Sequence, residues 1–128
     1  MENLFLFTGP EIGGRAEAIA KVKTSLQKKY GAVDFHNLYI DSTPVLKLMS
    51  LLQTGNLFMS AICVVLNNAE EIKKKEEIEA IVKWKGESKN YPAFLILVSD
   101  EIAINKTLEA AVPKGQKQIF WELFEEKK

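Results

Sequence analysis

The chain has 128 residues, 47% of them apolar, enough for one buried core without disulfide or metal staples. Its 17 basic and 17 acidic side chains cancel, so the surface is not built mainly to neutralise nucleic-acid phosphate or anionic lipid. No apolar run approaches the roughly 20 residues of a membrane span, and Met1-Glu2-Asn3 lacks the basic start of a secretory signal, so a cytoplasmic protein is expected.

The first apolar run, Leu4-Phe5-Leu6-Phe7, is continuous rather than alternating, as in strands buried on both faces of a parallel sheet. Thr8-Gly9-Pro10-Glu11-Ile12-Gly13-Gly14-Arg15-Ala16 follows it, where a P-loop NTPase keeps its phosphate cradle. A working cradle reads G-x-x-x-x-G-K and then serine or threonine. Its glycines let backbone N–H groups approach phosphate, its lysine reaches the outer oxygens, and its hydroxyl holds Mg²⁺. Here Gly9 and Gly14 keep the frame, but Arg15 stands for the lysine and Ala16 for the hydroxyl. Alanine offers no oxygen to a cation that demands oxygen ligands. Arg15, the sole arginine of the chain, could still pair with phosphate. The helix that follows places Ala16, Ile19, Ala20, Val22 and Leu26 on one apolar stripe.

Asp34 to Ile40 reads as a weaker strand suited to a sheet edge. It contains His36, the one histidine, which has no serine, cysteine or ligand cluster beside it and is read as structural. Ser42-Thr43-Pro44 marks the start of a second helix with Val45, Leu46, Leu48, Met49 and Leu52. Gly55-Asn56 ends it, and Leu57-Phe58-Met59 then places three large apolar residues on an expected loop. They either tuck beneath the sheet edge or protrude, and each of Leu57 and Phe58 would contribute about 1.5–3 kcal/mol in a partner's pocket.

Ala61 to Leu66 is the second buried strand, with Cys63 expected to be an inert thiol inside it. A P-loop enzyme ends the equivalent strand in acids that hold Mg²⁺ and activate water, whereas this chain has Asn67-Asn68. Asparagine supplies neither charge nor base, so two parts of a hydrolytic site are missing. A third helix is expected from Glu70 to Lys85, with Ile72, Ile78, Ile81 and Val82 inward and Lys73-Lys74-Lys75 ion-paired among glutamates. Ala93 to Val98 is the next buried strand, and Ser99-Asp100-Glu101 its capped exit. Gln118 to Trp121 is a fifth strand candidate, and Trp84 and Trp121 are packing residues at element ends. Alternating strands and helices predict a single α/β domain, P-loop NTPase-like, with a mostly parallel five-stranded sheet between helical layers.

The order of these parts is the degenerate loop, the small-x-Leu-Phe turn, the apolar strand, then Asn68-Ala69-Glu70 and Lys73-Lys74-Lys75-Glu76-Glu77. It resembles the N-terminal domain of the delta subunit of bacterial DNA polymerase III. The resemblance spans essentially all 128 residues. It implies an AAA+ core without ATPase function that binds and opens the sliding clamp, with Leu57 and Phe58 as the wedge and Met59 beside them. It also implies a bacterial, cytoplasmic member of the DNA polymerase III holoenzyme, a DNA-directed DNA polymerase, that meets DNA only indirectly. Such proteins continue into a lid and a helical collar that joins the other clamp-loader subunits, so the chain is expected to be an N-terminal fragment. No catalytic residue, metal or cofactor is expected. Two other readings stay open: a divergent nucleotide-binding protein or kinase using Arg15, and a noncatalytic phosphate-binding regulatory domain built on residues 9–16.

Overall fold

The computed structural model describes residues 3–54, 58–86 and 92–120. Strands and helices alternate: β1 (Leu4–Thr8), α1 (Ile12–Tyr30), β2 (Val33–Tyr39), α2 (Val45–Thr54), β3 (Ala61–Asn67), α3 (Lys75–Gly86), β4 (Ala93–Ser99), α4 (Lys106–Ala111) and β5 (Lys117–Ile119). Two 3-10 turns, Ala69–Glu71 and Lys114–Gln116, complete the described elements. The sheet order is β2-β3-β4-β1-β5, and every neighbouring pair runs parallel.

Continuous apolar runs become intelligible once both faces of the sheet are covered. Leu4, Leu6, Ile62, Val64, Leu66, Leu95 and Leu97 meet Val45, Leu48 and Leu52 of α2, Ile78, Ile81 and Trp84 of α3, and Leu108 of α4. The alternate strand residues, Phe5, Phe7, Cys63, Val65, Phe94, Ile96 and Val98, form a separate core beneath α1 with Leu26. Chain order explains this division. The step from β1 to β2 runs one way across the sheet and the later steps run the other way, so right-handed crossovers place α1 opposite α2, α3 and α4. β2 occupies one edge, as its mixed sequence predicts, and the short β5 occupies the other.

The third helix departs from expectation. Asn68 adopts a left-handed conformation (φ 66°) that asparagine tolerates better than most residues, and a 3-10 turn follows over Ala69–Glu71. Ile72 is then extended and fully buried, so the chain is pinned into the core before a helix can begin. α3 starts only at Lys75, leaving Lys73 and Lys74 outside it and Glu70 and Glu71 in the separate turn. Its own first turn carries Glu76 and Glu77, which complement the helix N-terminus.

Candidate functional site

The parallel strands all deliver their carboxyl ends to one side of the sheet, and connections leave β1 and β4 in opposite directions there. Ligands of open α/β sheets bind in this kind of crevice. Ile12, Arg15, Tyr39, Asn67, Asn68, Val98, Ser99 and Asp100 line a cleft of about 220 Å³ at this place.

The loop between β1 and α1 is short, because the helix already begins at Ile12 and takes Gly13, Gly14, Arg15 and Ala16 into its first turns. Its N-cap is Glu11. One carboxylate oxygen accepts from the Gly14 N–H at 2.6 Å and the other from the Gly13 N–H at 3.2 Å. These donors are among those an anion at a helix N-terminus would use. Arg15 turns inward and is buried. Its Nη1 donates to the Ser99 carbonyl (2.8 Å), to the Gly9 carbonyl (3.1 Å) and to Asp100 Oδ1 (2.6 Å). Arg15 Nε is buried without a hydrogen-bond partner among the described residues. Ala16 is exposed and presents a methyl group.

Both glycines of the frame have local reasons to be glycine. Gly9 has φ 108°, and a Cβ there would run into the Phe120 carbonyl. A Cβ on Gly14 would stand 2.7 Å from Glu11 Oε1 and 2.9 Å from the Phe120 ring. Phe120 closes the loop from the far side: its N–H donates to the Thr8 carbonyl and its carbonyl accepts from the Glu11 N–H. Its ring meets Phe7 edge-on at 5.9 Å. Sequence reasoning missed Glu11 and Phe120. Glutamate is not among the preferred N-caps, and Phe120 reaches the loop only through the pairing of β5 with β1.

The other side of the cleft carries no acid from β3. Asn67 Nδ2 donates to Asn37 Oδ1 (2.8 Å) and to the Leu38 carbonyl (2.9 Å), so its side chain fastens the edge strand β2. Ser99 Oγ accepts from the Glu101 N–H at 2.9 Å, which closes the strand exit.

A second region lies at the opposite end of the sheet. Phe58, on the turn before β3, is 92% exposed, and Met59 is half-buried. The Ser60 N–H donates to the Ala32 carbonyl at 2.7 Å, so this turn is tied to the amino end of β2. Leu57 lies outside the described residues.

The remaining candidates behave structurally. His36 pairs with Asp34 at 3.0 Å on the edge strand. Burial pushes the Cys63 thiol up to about 12, against a smaller opposing effect of Lys23, so it stays a protonated core group. Lys75 approaches Glu79 at 4.0 Å on the exposed face of α3, and Trp84 is core. Trp121 lies outside the described residues. Among the described residues no cluster of metal-ligating side chains occurs, and no helix is long and apolar enough to cross a membrane.

By its architecture the chain is an α/β module, a parallel five-stranded sheet flanked by helices, with a loop after β1 that is filled by its own side chains. A solved structure of the Bacillus subtilis DNA clamp loader delta protein (YqeN) is similar, with a TM-score of 0.69 and 15% identity. The match covers 94% of this chain and 39% of that one, and at this identity it is a likeness of fold. No family model and no curated protein matches the sequence.

Proposed function

We propose that the chain is a clamp-loader delta module that binds a sliding clamp and helps to open it, without hydrolysing ATP. The observation that carries this reading is Phe58, a large aromatic side chain 92% exposed on a turn of a fold shared with a clamp loader delta protein. An exposed aromatic of this size is suited to a partner's apolar pocket, where interface energy concentrates. Leu57 and Met59 would enter or flank the same pocket. Opening the ring then needs no covalent step, only tighter binding to the open than to the closed form.

In this reading the protein works in the cytoplasm of a bacterium as part of the DNA polymerase III holoenzyme. Its partners are the clamp directly and the other loader subunits through lid and collar domains. The match with the delta protein takes in 94% of this chain and 39% of that one. Nucleotide-enzyme and phosphate-binding readings draw less support, because Glu11 already occupies Gly13 N–H and Gly14 N–H and Ala16 offers no metal ligand.

Binding to the cognate clamp tests the proposal, with Leu57→Ala/Phe58→Ala as the variant and circular dichroism as the control for folding. The double variant is expected to lose about 2 kcal/mol or more, roughly thirtyfold in affinity. Undiminished binding by the folded variant, or no binding by the wild type, would refute it.

A further inference from the structure

A phosphate-binding loop has two demands that are normally met by its ligand. The N–H groups at the helix N-terminus need an anion, and the basic side chain of the loop needs a partner. In this chain both demands are met internally. The Glu11 carboxylate spans Gly13 N–H and Gly14 N–H. Arg15 bonds the loop's own Gly9 carbonyl and the end of β4 at Ser99 and Asp100. Arg15, Ser99 and Asp100 line the cleft of about 220 Å³ beside the loop, and Phe120 shuts the loop from the β5 side.

We propose that Glu11 and Arg15 replace a bound ligand. The carboxylate takes the seat of a phosphate on α1, and the guanidinium ties the loop to β4, so the loop is held closed without ligand. Three observations converge on this. Both oxygens of the Glu11 carboxylate are engaged, one on each N–H, whereas the Asn105 cap of α4 uses a single oxygen. The buried guanidinium reaches across 84 residues of sequence to Ser99. Both glycines of the frame are explained by the approach of Phe120 and Glu11, with no phosphate required. Such a lock makes the fold indifferent to cellular nucleotide and lets the rest of the chain act constitutively. The inference does not depend on the clamp.

Thermal unfolding of the full chain with inorganic phosphate, against chloride at matched ionic strength, tests the lock in wild type and Glu11→Ala. Phosphate should leave the wild type unchanged. The variant should melt several degrees lower and recover part of that loss with phosphate, because an exogenous anion can then take the vacated seat. As a second reading, the Gly13 and Gly14 amide resonances of Glu11→Gln, a milder change, should move with phosphate while those of the wild type do not. Equal stabilisation of wild type and variant would overturn the proposal, since the seat would be open in the native chain. A destabilised Glu11→Ala that phosphate does not rescue, with amides that do not respond, would also overturn it and leave Glu11 an ordinary cap.

Discussion

At the scale of single residues, Arg15 shows how a basic side chain placed like a phosphate-binding lysine in the sequence can do other work. A lysine in a nucleotide site extends toward solvent-borne phosphate, whereas this guanidinium is 9% exposed and its Nη1 bonds two backbone carbonyls. Its carboxylate partner, Asp100, is 69% exposed, so the ion pair itself is screened and contributes little. The carbonyl bonds should dominate. Arg15→Ala is therefore expected to cost about 2–3 kcal/mol, chiefly by stripping a donor from the buried Gly9 carbonyl. The Ser99 carbonyl still accepts from the Gly9 N–H. Asp100→Asn is expected to cost less than about 1 kcal/mol. Urea unfolding of both variants decides the matter: equal losses would mean that the ion pair, and not the carbonyl contacts, fastens the loop to β4.

At the scale of elements, the loop depends on backbone shapes that a side chain would block. Gly9 and Gly31 both have positive φ, 108° and 81°, but their surroundings differ. Gly31, at the end of α1, has open space where a Cβ would go, while Gly9 faces the Phe120 carbonyl. Gly31, with φ 81° and ψ -97°, lies outside the left-handed helical region, so Gly31→Ala should lose only the conformational term, on the order of 1–3 kcal/mol. Gly9→Ala should lose that and also displace β5, whose closing bonds run through Phe120. A melting-temperature loss for Gly9→Ala no larger than for Gly31→Ala would contradict this account of the loop.

Much of this level was legible beforehand, because burial on both faces leaves a strong signature in β1, β3 and β4. The end of the Ala61 strand at two asparagines was equally plain. What escaped was set by tertiary contact. The break at Ile72 follows from one isoleucine being drawn into the core before α3 can start, which helical periodicity does not encode. Glu11 escaped for a similar reason: it was a variable position of a motif, and only the early start of α1 makes it a cap.

At the scale of the whole molecule, the position of the turn matters more than its composition. Every strand among the described residues runs the same way, so the loop after β1 lies at the carboxyl ends and the Phe58 turn, which enters β3, at the amino ends. A seven-residue strand such as β3 separates the two regions by roughly 20 Å. Substitutions that far apart with no shared partner are expected to act additively. Phe58→Ala should thus change stability by no more than about 0.5 kcal/mol, as at other surface sites, while weakening the proposed clamp binding. Arg15→Ala should do the reverse at a temperature where it remains folded. A cycle of the wild type, both single variants and the double variant, followed by clamp affinity and by urea midpoint, separates the two. Coupling above about 0.5 kcal/mol in affinity would mean that the filled loop and the turn communicate through the sheet. In that event the carboxyl-end cleft would regulate the turn at the amino end. Additivity would instead mark the sheet as a passive support, holding an internally closed site at one end and a protruding aromatic side chain at the other.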